Sequence, residues 1–255
     1  MNQTQKINFY YRFKKFQQNR EKAFAPKINR ALRNQYLSFT NAVRSQGLEQ
    51  ALLNVQAGEL SIILKKLYID AGITYGAKIR ADLRPFIKKA RMPMGFSEQM
   101  LQLIEAYFRT DILNTSEGIT DTTRDLIRTL FTDAYKEGLS IDDIVQKLEG
   151  TELSKVRARL IARTETVTAA NQGAMFAAET TGLELSKEWI SAIDNRTRRD
   201  HLAVDGSIID FDEYFRVGGY NMMQPGWKGG VNGQLAVPAA QIVNCRCCVA
   251  PIPKD

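Results

Sequence analysis

The sequence predicts a mostly α protein that ends in a small α+β module. Apolar residues recur at helical spacing through roughly the first 180 positions. After Gly182, glycine and proline become frequent, and short β-like runs replace the long periodic ones. The three cysteines, Cys245, Cys247 and Cys248, and the one histidine, His201, all fall in the last quarter of the chain. The expected architecture is therefore long N-terminal helices, then short strands around an irregular Gly/Pro-rich loop.

Residues 5–47 read as helical. Phe9, Phe13 and Phe16 sit at i, i+4 and i+7, so they share one face, with Arg12, Lys14 and Lys15 off that stripe. Pro26 is expected to start a second helix, since proline is tolerated in a first turn. From Ala51 to Arg84, Leu60, Ile63, Leu64, Leu67 and Ala71 mark one side of another helix. Pro85 and the run Arg91-Met92-Pro93-Met94-Gly95 then break the pattern.

A helix is expected over about 97–113 and a separate one over about 121–136, with Leu126, Ile127, Leu130 and Phe131 as its core face and Gly138 as its stop. Ser140 caps the next, with Asp142 and Asp143 favoured in its first turn by the helix dipole, and Gly150 ends it. The last long helix covers about 152–181. Its buried stripe is expected at Leu153, Val156, Leu160, Val167, Ala174 and Ala178. Thr164, Thr168 and Asn171 share a face, and Gly182 stops the helix. Strands are expected over 187–192, 206–210 and 243–249, with a long irregular loop over 216–234. No internal repeat is visible.

The net charge of +7 is concentrated. Residues 1–47 hold ten Lys/Arg and one acid, a local +9 that leaves the rest of the chain at −2. Such a segment is an electrostatic footprint for a polyanion or an acidic protein surface. Its candidate contact residues are Arg12, Lys14, Lys15, Arg20, Lys22, Lys27, Arg30 and Arg33. The plainer reading is an amphipathic helix that packs its aromatics on a partner helix.

No run of about 18 apolar residues suggests a membrane span, and the N-terminus lacks a secretory h-region. Three cysteines are too few for a disulfide framework, so synthesis in a reducing cytoplasm is expected.

Cys245 and Cys247 would project together if they lay in a strand. With His201 as a third donor, and Asp194, Asp200 or Asp205 as a fourth, they form a zinc-like set. The alternative is structural thiols beside a hydrogen-bonded histidine, and both readings stand. Cys248, on the opposite face, is expected to be buried packing.

The run from Asp194 to His201 holds three arginines and two acids. It suits either phosphate binding or a structural network in which Asp194 and Asn195 turn the chain and the arginines pair with Asp200, Asp205 or Glu165. Arg163, Thr164 and Glu165 read as a buried polar link between helix and C-terminal module. Ser/His/Asp triads, Walker loops, dinucleotide fingerprints and H-E-x-x-H are absent from the sequence.

Ala162-Arg163-Thr164-Glu165, Asn171, Trp189, Asp194-x-Arg196-Thr197-Arg198, His201, Asp205-Gly206, Pro225-Gly226 and Asn244-Cys245-Arg246-Cys247 occur in that order. Together they resemble the phage Mu F-like minor head protein family, the phage head morphogenesis domain, over about residues 120–250. The resemblance implies a helical, basic docking region over 1–118 and a head morphogenesis domain over 119–255. It implies a non-enzymatic minor capsid protein of a tailed bacteriophage, present in few copies and associated with the portal. Its work would be procapsid assembly and DNA packaging or ejection.

The implied partners are the portal protein, major capsid or scaffold proteins and packaged double-stranded DNA, with no membrane. The implied place is inside the virion near the portal, reached through the host cytoplasm during assembly. The resemblance also strengthens the zinc reading, since His201, Cys245 and Cys247 are among its matched positions. The added Cys248 departs from the simple Cys-Arg-Cys ending and leaves open which thiols would ligate. Some relatives carry a fused toxin or enzyme domain; none is expected beyond Cys248 here. The competing functions are a nuclease-like enzyme using His201, Arg196 and Arg198, and a free-standing DNA-binding protein.

Overall fold

The computed structural model describes residues 1–87, 95–149, 153–229 and 236–254. Thus 91–94 and Gly150 of the expected breaks, 152 at the expected start of the last long helix and 230–234 of the expected loop lie outside the described residues, as does the side chain of Leu153. The expected fold class is borne out: long helices come first, and a small module with antiparallel strands follows. The chain forms two compact units, each discontinuous in sequence. One comprises Met1–Glu21, Leu67–Tyr107 and Leu160–Asp255, and the other Lys22–Lys66 and Phe108–Arg159.

Helix α1 (Gln3–Gln46) is one continuous helix, which corrects the expected restart at Pro26. The proline is exposed, while Phe24, Ala25, Ile28, Ala31 and Leu32 around it are buried. Its missing N–H therefore falls on the solvent side, and packing holds the helix through a residue that ordinarily costs about 3 kcal/mol. Phe9, Phe13 and Phe16 are all buried, as their spacing predicts.

A short α2 (Leu48–Leu52) precedes α3 (Gly58–Leu83), whose expected face from Leu60 to Ala71 is buried. A 3₁₀ turn at Arg84–Phe86 ends α3 at Pro85. Helix α4 (Phe96–Lys136) is also single, where two helices were expected. The polar stretch that suggests a break is absorbed by hydroxyls bonding back one turn. Ser116 donates to the Leu113 carbonyl at 2.9 Å, Thr120 to Ser116 at 2.8 Å and Thr123 to Ile119 at 3.0 Å.

Helix α5 (Ile141–Glu149) opens with a reciprocal cap. Asp143 N donates to Ser140 Oγ at 3.2 Å, and Ser140 N donates to Asp143 Oδ2 at 3.1 Å. Tyr36, Phe39, Val43, Ile127, Phe131, Ile144 and Leu148 form the core of the second unit.

Helix α6 (Leu153–Glu179) has no single buried stripe. Val156 is 69% exposed, yet from Ile161 to Ala178 every residue but Arg163 and Phe176 is buried. A helix enclosed on all sides loses the one-faced pattern that periodicity detects. Within the first unit it packs closely on α3, and Phe13 and Phe16 of α1 meet Tyr75 at 5.2 and 5.0 Å between ring centroids.

Past Gly182 a three-stranded antiparallel sheet forms in the order β2-β1-β5. Strand β1 (Leu185–Ile190) pairs along its length with β5 (Cys248–Pro253), Ile190 opposite Cys248 and Leu185 opposite Pro253. Between them come α7 (Arg199–Ala203), β2 (Ile208–Asp210), the hairpin of β3 (Phe215–Val217) and β4 (Tyr220–Met222), and α8 (Ala239–Ile242). The hairpin corrects the first part of the expected irregular loop, through Met222; residues 223–228 form neither helix nor strand. Its turn is Gly218-Gly219, φ +55° and +87°, the left-handed pair that a tight two-residue hairpin needs. The final strand begins at Cys248 rather than Val243, because Asn244 takes a left-handed φ of 61° that no strand continues through.

Candidate metal centre and its polar frame

The Asn244 turn brings the thiols together. Asn244 N donates to Thr164 Oγ1 at 2.9 Å, and its side-chain oxygen accepts from Arg163 Nη1 at 2.7 Å. These contacts anchor the turn to α6. Cys245 and Cys247 lie in the segment between α8 and β5, so they converge by a turn and not by strand alternation. Across from them, α7 presents His201, whose backbone carbonyl accepts from Ser191 Oγ at 2.5 Å. Trp189 meets the imidazole edge-on at 5.4 Å between centroids.

His201, Cys245 and Cys247 offer one donor atom each, all within 4.8 Å of one another and all buried. Nδ1 of His201 is 3.5 Å from Cys247 Sγ and 3.7 Å from Cys245 Sγ. The two thiols differ. The hydrogen bond with Cys247 holds Cys245 below the ordinary thiol value, while that contact and burial push Cys247 well above it. Of the two, Cys245 gives up its proton more readily, and the thiolate is the form that binds a metal. Two sulfurs and an imidazole nitrogen fit a zinc-like ion chemically. Cys248 is buried at the start of β5.

The proposed acid ligands are engaged elsewhere. Asp194 accepts from Arg246 Nη1 at 2.5 Å and from the Arg196 backbone N–H at 2.9 Å, forming the expected turn. Asp200 accepts from Gln241 Nε2 at 2.6 Å. Asp205 accepts from Ser191 N at 2.7 Å and from Lys6 Nζ at 2.8 Å. This corrects the expected pairing of the nearby arginines with Asp200, Asp205 or Glu165. Arg198 donates to the Val243 carbonyl, and Arg196 is 73% exposed, reaching Asp194 only at 3.9 Å.

The α6 residues bind the module as a set. Arg163 makes a two-pronged pair with Glu21, at 3.0 and 2.9 Å. Glu165 accepts from the Tyr68 hydroxyl and pairs with Lys228 at 3.2 Å. Thr168 donates to the Gly226 carbonyl at 3.2 Å. Asn171, fully buried, donates to the carbonyls of Pro225 at 3.0 Å and Cys247 at 3.2 Å and accepts from Val249 N at 3.0 Å.

The basic residues of α1 divide into two groups. In the first unit Arg12 forks onto Asp82 at 3.0 and 2.9 Å and Arg20 meets Asp70 at 2.6 Å. Lys14 and Lys15 have no acidic partner among the described residues, and Lys15 and Lys78 are exposed at the rim of a cleft that also takes in Arg12, Asn19 and Arg20. In the second unit Arg30 pairs with Glu59 at 3.5 Å, while Lys22, Lys27 and Arg33 are exposed without an acidic partner among the described residues.

Sequence reasoning misses Gln241, Glu21, Tyr68 and Lys228, which lie far along the chain from the groups they bind. It also misses Lys187, fully buried beside the Phe211 and Phe215 rings, its Nζ 3.7 Å from Met223 Sδ.

These features define a mostly helical protein whose C-terminal α+β module is closed on its long helix by buried polar contacts and a His/Cys/Cys cluster. Residues 125–250 match the family described as Phage Mu protein F like protein. Over 98 residues, 38% of the chain, it is 37% identical to the minor head protein GP7 of Bacillus phage SPP1. Over 115 residues, 44% of the chain, it is 36% identical to the NAD(+)–arginine ADP-ribosyltransferase EFV of Enterococcus faecalis. The matches cover 30% and 22% of those two proteins. No solved structure matches the chain. No helix among the described residues is long and apolar enough to cross a membrane.

Proposed function

We propose that the protein is a minor capsid protein of a tailed bacteriophage, acting in head morphogenesis. The observation that carries this reading is the family match over 125–250, supported by the similarity to a minor head protein. The geometry agrees with a structural role. The module's distinctive side chains, His201, Cys245, Cys247 and Asn171, are turned inward and buried. A nuclease would need an accessible general base, and His201 is 1% exposed. The similarity to a transferase spans under a quarter of that enzyme and brings no activity to this chain.

In this reading the helical, basic region docks and the C-terminal module holds its shape. Lys14, Lys15, Lys22, Lys27 and Arg33 meet acidic groups of the portal protein or phosphates of packaged DNA, with major capsid or scaffold proteins nearby. The protein enters procapsids from the host cytoplasm and resides inside the head near the portal, serving DNA packaging or ejection. The test is co-purification of tagged protein with portal protein and, separately, with duplex DNA. Retention of the portal that weakens with salt supports docking there. Retention of neither removes the docking role.

We further propose that His201, Cys245 and Cys247 hold a structural zinc ion, which would tie α7 to the segment preceding β5. Elemental analysis of protein purified without chelator is expected to find one zinc per chain, with Cys247→Ser reducing it. Absence of stoichiometric metal would overturn the site.

A further inference from the structure

We infer that Gln241 is a positioning residue that fixes His201 as its Nε2–H tautomer, so that Nδ1 turns a lone pair toward Cys245 and Cys247. The argument is one of donors and acceptors. A carboxylate such as Asp200 accepts only. The group of Gln241 that faces Asp200 Oδ2 at 2.6 Å must therefore be its NH₂. A flipped amide would set two acceptors against each other, so the network itself assigns the orientation. The Gln241 oxygen then faces His201 Nε2 at 3.1 Å, and that nitrogen must carry the proton. In the neutral ring Nδ1 is then left without one, 3.5 Å from Cys247 Sγ and 3.7 Å from Cys245 Sγ.

The relay has little room to rearrange. Gln241 is 9% exposed and His201 is 1% exposed. Gly218, at the β3–β4 turn, lies against the Asp200–Gln241 contact. A Cβ there would come 2.5 Å from both Asp200 Oδ2 and Gln241 Nε2. The Trp189 ring against the imidazole restricts the remaining rotation. A hydrogen bond on the outer ring nitrogen is the usual device that sets tautomer and raises ligand basicity at a metal-binding histidine.

The consequence for metal affinity rests on the zinc reading above; the tautomer itself does not. His201 is the one histidine of the chain, so its ring nitrogens give unambiguous signals in protein labelled with ¹⁵N-histidine. Spectra of metal-free protein, at a pH where the ring is neutral, are expected to show a protonated Nε2 and an unprotonated Nδ1. Gln241→Leu is expected to average the two tautomers and lower zinc affinity about 10- to 100-fold. Asp200→Asn, whose side chain can donate or accept and so frees the Gln241 amide to flip, is expected to mix the two tautomers and reports on the ring if the leucine variant does not fold. A protonated Nδ1 in the native protein, or a native tautomer that survives Gln241→Leu, overturns the inference. Failure of the native protein to bind zinc, with the tautomer as described, overturns the metal reading alone.

Discussion

Gly72 of α3 and Gly173 of α6 touch backbone to backbone: a Cβ on Gly173 would lie 2.2 Å from the Gly72 carbonyl oxygen. Gly76 extends the contact, since a Cβ there would lie 2.8 Å from the Gly173 carbonyl. Gly173→Ala must force the helices apart and is expected to cost at least about 2 kcal/mol. Gly118 gives the opposite sign. It is an exposed, interior residue of α4 with nothing near its missing Cβ, so Gly118→Ala is expected to stabilise by about 1 kcal/mol. Paired denaturant titrations of the two variants check both directions.

Asn171 serves three backbone groups at once, two carbonyls and the Val249 N–H. Asn171→Ala leaves these buried groups unpaired and is expected to cost about 3 kcal/mol or more. The loss should appear first in the module. Hydrogen exchange at the Val249 amide is expected to accelerate before exchange in α5, since that amide loses its partner.

Lys187 makes the alkaline limb of stability informative. Burial lowers its amine from the ordinary 10.5 to about 8. Between about pH 8 and 10.5 the unfolded chain binds a proton that the folded chain does not, so stability rises with pH in that window. Below it both states are protonated, and the buried ammonium costs about 3 kcal/mol relative to an unperturbed one. Tyr10, pushed up to about 12 by burial, acts in the opposite direction above pH 10. The difference between native and Lys187→Met stability curves isolates the lysine. The variant is expected to be more stable at pH 7, with the advantage shrinking as pH rises through the window.

The helices were legible wherever one face is apolar, as at Phe9, Phe13 and Phe16, or where a cap is local, as at Ser140 and Asp143. Pro26 and the polar stretch before Asp121 suggested breaks because local propensity is weak there. Buried neighbours, supplied by distant contacts, keep α1 whole, and in α4 the polar side chains bond back within one turn instead of breaking the helix. The site residues His201, Cys245 and Cys247 stood out by scarcity and do converge. The convergence comes from the left-handed turn at Asn244, not the anticipated strand. Gln241, which orients the imidazole, leaves no local signal, because its pairing with His201 spans 40 positions.

The unpaired cations of α1 should govern any binding to DNA. Lys15→Ala combined with Lys22→Ala is expected to weaken duplex binding similarly across sequences. If both residues contact phosphate, the dependence of log affinity on log salt should fall by about two. Arg12→Ala, which breaks the pair with Asp82, is expected to change folding stability by no more than about 1 kcal/mol. Fluorescence anisotropy across a salt series and a thermal melt separate the two effects.

The most direct test of the account is quantitative mass spectrometry of heads assembled by co-expressing this protein with its phage's major capsid, scaffold and portal proteins. The account predicts that the protein sediments with the heads, at far fewer copies than the major capsid protein, and that omitting the portal removes it. A protein that stays in the soluble fraction while heads form around it would contradict the proposed role.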